Sequence, residues 1–484
     1  MRIWIDIGPL FAYRRLGLRP TGIQRASMEL ARALHGAAPE AVRFARLDVA
    51  AGAVRPVPSD GAASLFDWLT SVRNDMVRLR VRRGVEPVEM PREPVRPGWL
   101  ARLARDHLHP SFTRPLREAS AAQAAALRHA GQALAALPSA LWAIWQDQGE
   151  AGAASAALTG ETPGAGDVLL TLGSAWSDPG HAAALAALRA RHGVRHALLV
   201  HDIIPLMLPE CFEERLTEAF ERFMRASLPA ADFLFAVSRT TARDVVTWAT
   251  REGLVLAAAP EVVPLGAGLD PALQGELPDG LAPGGYALFV STIEARKNHG
   301  LALRAWRRLL AEMPCSSVPT LVFAGREGWL VSDLMRQLRA SRHLGGKVVL
   351  VEGADDGTLA ALYRGALFTI YPSLYEGWGL PVTESLAFGK VCVASSAPAV
   401  QEAGGEFCLY HDPDSVSEAV ALYREMLQRP DLRSSLEERL RRDYRPPGWS
   451  DGARVLARAL GVLSNAGAAG MGQRATTALD MAAR

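Results

Sequence analysis

The sequence predicts an α/β protein of two parallel-sheet domains facing across a cleft, with an Arg- and Ala-rich helical insertion in the first domain. Three observations carry that prediction. Short apolar runs alternate with amphipathic helical stretches, the pattern of parallel sheets covered by helices on both faces. The alternation halts in a Pro- and Gly-rich stretch around Pro271 to Gly285 and then begins again, as at a linker. At 484 residues the chain is also too long for one compact core.

The chain opens on Met1-Arg2-Ile3-Trp4-Ile5-Asp6-Ile7-Gly8, whose alternation reads as a strand and lacks the longer apolar run of a signal peptide. After a basic loop, Thr21-Gly22-Ile23-Gln24-Arg25 leads into Met28, Leu30, Ala31 and Leu34 at helical spacing: strand, glycine turn, helix. From about Ala51 to Gln146 Arg and Pro dominate first. The run Ala121-Ala122-Gln123-Ala124-Ala125-Ala126-Leu127 then leaves helix as the only strong local preference. This reads as an insertion over about 51–160. Strands return at Asp167–Thr171, His196–Val200, Phe233–Val237 and Glu261–Gly266, with helices from about His181 and from Ser238 through Val246. Past the linker, strands are expected at Tyr286–Val290, Thr320–Ala324, Val348–Val351, Leu367–Tyr371 and Val391–Ala394. Ser415 to Arg442 reads as helices, Pro446-Pro447 interrupts them, and Trp449 to Leu463 is a last amphipathic helix. The expected domains are 1–275 and 276–445, followed by a helix over 446–464 returning to the first domain and a flexible tail over 465–484.

Hydrophobic residues make up 49% of the chain and charged ones 21%, enough for real cores and against wholesale disorder. A net charge of +2 gives no reason to expect nucleic acid as a partner. Cys211, Cys315, Cys392 and Cys408 form neither a CxxC pair nor a disulfide framework, which fits a reducing cytoplasm. No run approaches the ~20 apolar residues of a bilayer-spanning helix, so any membrane contact is expected to be peripheral. Between Val72 and Arg117 arginines far outnumber acids, with Trp99, Leu100, Leu103 and Leu108 among them. Such a stretch can lie on an anionic membrane at the inner face of the cytoplasmic membrane, or be a solvated helical excursion.

Ligands of such sheets bind at the carboxyl ends of the strands. There the most specific stretch is Tyr371-Pro372-Ser373-Leu374-Tyr375-Glu376-Gly377-Trp378-Gly379-Leu380-Pro381-Val382-Thr383-Glu384. Gly377 and Gly379 let backbone N–H groups approach a ligand, and a helix start near Pro381 suits a diphosphate. Glu384, expected in the helix's first turn, can accept hydrogen bonds from vicinal ribose hydroxyls, and Glu376 from a sugar. The plainer alternative makes Glu376 a solvated loop residue and Glu384 a helix-start charge. Arg296-Lys297, after another strand, place two cations where a departing diphosphate would need them without a metal. His201, after Val200, can bond a sugar hydroxyl or position an acceptor, or simply bond Asp202. Asp355-Asp356 precedes a helix, where N-capping is expected.

These pieces resemble, in order and spacing, the retaining glycosyltransferases of family 4. Glu376 and Glu384 match the E-x7-E signature, and Ser291-Thr292-Ile293-Glu294-Ala295-Arg296-Lys297-Asn298-His299 is similar to the family's G-T-x-E-P-R-K-N loop, departing at Ser291 and Ala295. The resemblance covers 1–36 and 167–463. It implies the GT-B fold of two Rossmann-like domains and transfer of a sugar with retention from a nucleotide-diphosphate sugar. It further implies Arg296 and Lys297 as the diphosphate clamp, His201 facing the donor sugar, and Gly22, with Arg25 beside it, at the glycine turn near the diphosphate. Arg326 falls in a donor-facing loop, and Gly377, Trp378, Gly379, Leu380 and Glu384 in the donor site. No cofactor or metal is implied. The Thr-Ile-Glu-x-Arg-Lys-Asn-His form is similar to bacterial mannosyltransferases of polysaccharide and O-antigen assembly, so GDP-mannose is the expected donor and a saccharide or lipid-linked saccharide the acceptor. No second acidic loop supplies a covalent nucleophile, so same-face displacement is expected. A GT-B epimerase, a pyridoxal-dependent phosphorylase and a non-catalytic sugar-nucleotide-binding protein stand as alternatives. The paired glutamates speak against the first, and the scarcity of lysines (Lys297, Lys347 and Lys390) against the second.

Overall fold

The computed structural model describes residues 1–15, 20, 22–71, 80–84 and 161–463. Most of the expected membrane-binding stretch, most of the insertion and the C-terminal tail lie outside the described residues. Among those described are two seven-stranded sheets, each parallel except at one edge. The first contains β1 (Ile3–Asp6), β2 (Val42–Asp48), β3 (Ala53–Val57), β5 (Val168–Thr171), β6 (Arg195–Val200), β7 (Phe233–Ala236) and β8 (Glu261–Val262), in the order β3-β2-β1-β5-β6-β7-β8. The second contains β4 (Arg80–Arg82), β9 (Tyr286–Val290), β10 (Thr320–Ala324), β11 (Val348–Glu352), β12 (Phe368–Tyr371), β13 (Cys392–Ser395) and β14 (Cys408–His411), in the order β14-β13-β12-β9-β10-β11-β4. Two Rossmann-like sheets facing across a cleft constitute the GT-B fold.

The apolar runs form central strands because both faces are covered. Phe289, Phe323, Phe368 and Trp306 are all fully buried in the second domain's core, and Ile3, Ile5, Leu170 and Leu199 lie in the first. Met28, Leu30, Ala31 and Leu34 form the buried stripe of the helix Gly22–Ala37, as their spacing predicts.

Four features differ from the sequence reading. Residues 53–71, assigned to the helical insertion, belong to the first domain: β3 pairs antiparallel with β2, and the helix Ser59–Ser71 buries Leu65, Phe66 and Leu69 in its core. β4, also assigned there, pairs antiparallel with β11 at the edge of the second sheet, with Arg82 on Glu352 at 2.9 Å. The strand expected over Glu261–Gly266 stops at Val262, because Pro264 has no N–H for the ladder. Strand β2, one in from the edge of the first sheet, and β14, at the edge of the second, are strands that the sequence reading does not assign.

The helix Trp449–Ala459 buries Ala453, Leu456 and Ala457 in the first domain's core, against the helix Gly22–Ala37. Its Gly452 is required by this closeness, since an added Cβ would sit 2.4 Å from the Pro264 carbonyl oxygen. Strand order reverses between β1 and β5 in one sheet and between β9 and β12 in the other, and such switch points are where doubly wound sheets bind ligands.

Candidate active site

Both switch points open into one cavity of about 720 Å³. Gly22, His201, Arg296, Lys297, Arg326, Glu376, Gly377, Trp378, Gly379, Leu380 and Glu384 all line it. The loops after β9 and β12, some eighty residues apart in sequence, lie side by side here because their strands pair in parallel.

The loop after β9 forms a 3-10 turn, Ala295–Lys297, closed by Asn298 in the left-handed region at φ 61°. Asn298 caps the following helix His299–Glu312 and donates to the Pro372 and Pro413 carbonyls at 3.1 and 2.8 Å, while Leu374 N–H donates to the Arg296 carbonyl at 2.9 Å. The Arg-Lys loop is thereby fixed to the glutamate loop. Lys297 Nζ lies 2.6 Å from Glu376 Oε1 and Arg296 Nη1 2.7 Å from Glu376 Oε2; Arg296 Nη2 reaches Glu294 Oε1 at 2.9 Å. Tyr371 donates to Glu376 at 2.9 Å, and Ser373 donates to the same oxygen at 2.5 Å.

This geometry changes the reading of the cations. Two positive charges face two buried carboxylates, so the cluster is close to neutral and its cations are not a free anion clamp. Burial alone would raise the Glu376 carboxyl, but Arg296 and Lys297 outweigh it and hold its pKa at about 2. Burial and Arg296 lower the Lys297 ammonium, against the pull of Glu376. Glu376 is therefore neither a solvated loop residue nor an acid poised to donate a proton. Its pKa lies below its ordinary 4.5, so the stabilisation it supplies is present above that value and lost as pH falls from 4.5 towards 2. Acid unfolding of Glu376→Gln, followed by circular dichroism, is expected to show a flatter decline in stability across that window than the parent protein. Coincident slopes would contradict it.

Two donors in the cavity wall have been left for something else. Among the described residues Arg296 Nε and Trp378 Nε1 are buried and have no hydrogen-bond partner, a state that buried N–H groups rarely keep without a ligand or water. Two helix starts add to them, the first turn of Gly22–Ala37 and that of Leu380–Ala387, whose leading N–H groups have no intrahelical acceptor. The Arg326 side chain is exposed on the same wall.

Glu384 is not in the first turn of its helix. The helix begins at Leu380 after Gly379, so Glu384 stands one turn further in, and helix-start capping does not explain it. Its Oε2 accepts from Tyr363 at 2.8 Å. Burial raises its pKa, opposed by Arg25 and the Tyr363 hydroxyl, so the two glutamates shift in opposite directions. Arg25, from the opposite domain, makes a two-pronged ion pair with Asp356 at 2.6 and 2.9 Å and donates to the Gly268 carbonyl at 3.1 Å. Asp355 is the N-cap that the sequence predicts, accepting from Thr358 N–H at 2.7 Å, whereas Asp356 is Arg25's partner.

His201 is buried and places Nε2 2.7 Å from the Leu172 carbonyl, not on Asp202, which instead accepts from Ile204 N–H. A ring that donates from Nε2 carries an acceptor at Nδ1. Burial lowers its pKa and favours that neutral form. Gly377 comes so close to this loop that an added Cβ would lie 2.0 Å from the His201 carbonyl oxygen. Gly377→Ala is expected to push the domains apart and cut turnover at least tenfold, with the unfolding midpoint nearly unchanged. Equal turnover in a steady-state assay would contradict that. Trp378 and Leu380 pack against the first domain's core as well as facing the cavity, so they also join the domains.

Sequence reasoning did not assign Glu294, Asn298, Tyr371, Ser373 or Tyr363. Glu294 and Asn298 were visible in the quoted motif as polar residues just after a strand. Tyr371 and Ser373 stand in the other quoted motif without an assigned role, and nothing in the sequence points to Tyr363, because its role depends on which side chains meet across the loops.

Residues 283–443 match the family described as glycosyl transferases group 1. Escherichia coli serotype-specific mannosyltransferase WbdA is 28% identical over 247 residues, covering 49% of this chain and 30% of its own. Escherichia coli O-antigen chain mannosyltransferase B is 30% identical over 234 residues, covering 47% of this chain and 60% of its own. The chain thus spans less than two thirds of either relative. Anabaena HepE, solved in complex with UDP-glucose, is similar over 61% of this chain and 79% of its own at 16% identity and a TM-score of 0.49, a loose likeness from which nothing about the ligand follows.

Proposed function

We propose that this protein is a retaining, family 4 glycosyltransferase. In this reading it transfers mannose from GDP-mannose to a saccharide or lipid-linked saccharide acceptor, on the cytoplasmic side of surface polysaccharide assembly. The observation that carries the reading is the Arg296–Lys297–Glu376 cluster, at the switch point of a group 1 domain and beside two unpartnered buried donors. The mannosyltransferases among the relatives support the choice of sugar.

In this reading the diphosphate lies between the two helix starts and takes hydrogen bonds from Arg296 Nε and from Lys297. Glu376 holds both cations in place and accepts from donor-sugar hydroxyls, and Glu384 accepts from the ribose. His201 Nδ1 accepts from a further sugar hydroxyl. The leaving phosphate takes the acceptor's proton while the acceptor oxygen attacks the same face of the sugar that the phosphate leaves. Arg296, Lys297 and the glycine-loop amides stabilise the charge on that phosphate as it builds up. In this reading hydrogen bonds from the side chains and the two helix starts hold the diphosphate without a metal, so chelator treatment is expected to leave the rate unchanged. Proton NMR of the product from GDP-α-mannose tests the stereochemistry: an α-mannoside is expected as the first-formed product, and a β-mannoside or a mannosyl adduct trapped on a side chain would overturn the mechanism.

A further inference from the structure

One end of the cavity is lined by aromatic rings that the donor reading does not use. Trp329, on the loop after β10, comes from the second domain, whereas Phe212 follows the 3-10 turn Pro209–Cys211 of the first. Their ring centroids lie 6.1 Å apart with planes 33° from parallel, and Trp329 Nε1 donates to the Cys211 carbonyl at 3.0 Å. Elsewhere in the wall Trp176, on the turn Ala175–Ser177 after β5, meets Phe220 edge to face at 5.1 Å. All four rings face the cavity, and so do Ser174, Ser177 and Asp202.

We propose that Phe212 and Trp329 form a subsite for an uncharged pyranose ring of the acceptor, a subsite completed only when Trp329 of the second domain docks on the first. This rests on the reading of the cavity as a nucleotide-sugar transfer site. Aromatic faces carry negative charge density that attracts the weakly positive C–H face of a sugar ring, and polar groups of the same cavity wall can take the ring's hydroxyls. An alkyl chain would find the same apolar faces but would make no hydrogen bonds to the polar groups of the cavity wall. Because the Trp329 N–H bond spans the domains, acceptor and closure reinforce each other: whatever binds across Phe212 and Trp329 favours the joined arrangement.

The test uses the full chain saturated with GDP and titrated calorimetrically with mannotriose, with octyl phosphate as the lipid-like arm. Wild type is expected to bind mannotriose. Trp329→Leu and Phe212→Leu, which keep apolar bulk but lose the ring, are expected to bind it about tenfold more weakly, with GDP affinity unchanged within about twofold. Trp329→Phe is expected to recover most of the loss. Mannotriose binding equal to wild type in the leucine variants would overturn the proposal. So would loss of GDP and mannotriose binding together in a variant, failure of GDP-loaded wild type to bind mannotriose, or tighter binding of octyl phosphate with the same dependence on Trp329. If GDP itself fails to bind wild type, the transferase reading falls first and this inference with it.

Discussion

Replacing Glu376 with alanine is expected to abolish transfer and to destabilise the fold by about 3 kcal/mol or more, the usual consequence of stripping one partner from a buried ion pair. The reason is the arrangement and not the charge count alone. Lys297 would retain only the Tyr371 hydroxyl at 3.0 Å, and Arg296 would retain Glu294 and the Tyr375 carbonyl. Two buried cations would then share one carboxylate. Glu376→Gln keeps the shape and one acceptor oxygen, so it should recover part of the stability and little of the turnover. Chemical denaturation beside a transfer assay separates the two effects. A Glu376→Ala protein with full turnover would remove the residue from the mechanism.

The second large effect is expected at Arg25. Its guanidinium joins the domains through Asp356, and also holds the Gly268 carbonyl of its own domain, while lying beside Glu384. Arg25→Ala should weaken donor binding about tenfold, by releasing the domains and by removing the charge that opposes protonation of Glu384. Arg25→Lys should recover little, because an ammonium cannot make the two-pronged contact. Donor titration at pH 6 and pH 8 distinguishes the contributions. Burial already raises the Glu384 pKa, and losing Arg25 raises it further, so the defect should be greater at the lower pH, where more of the carboxyl is protonated. A defect equal at both would assign Arg25 to domain closure alone.

Much of this site was legible because its residues lie in runs. The strands β9 and β10 were read from uninterrupted apolar stretches, and the loops that follow them carry polar residues with no packing role to explain them. The pairing of Arg296 and Lys297 with Glu376 could not be read, since it depends on β9 lying beside β12, some eighty residues later in the chain. Strand β4 shows the limit most clearly. Arg80-Val81-Arg82 has one apolar residue and lies in an Arg-rich stretch; only β11, more than 260 residues away, makes it a strand. Glu384 fails in a subtler way: whether it caps its helix or stands one turn inside depends on where the helix starts, and that start is set by Gly379 at φ 120°.

The central claim is that the Arg296–Lys297–Glu376 cluster holds a nucleotide-sugar. Thermal unfolding in the presence of GDP-mannose, UDP-glucose and related donors tests it directly, comparing the parent protein with Lys297→Ala. A donor at a hundred times its dissociation constant should stabilise the parent by ~2.7 kcal/mol, with GDP-mannose giving the largest shift, and should stabilise Lys297→Ala far less. No shift with any nucleotide-sugar, or an equal shift in Lys297→Ala, would contradict it.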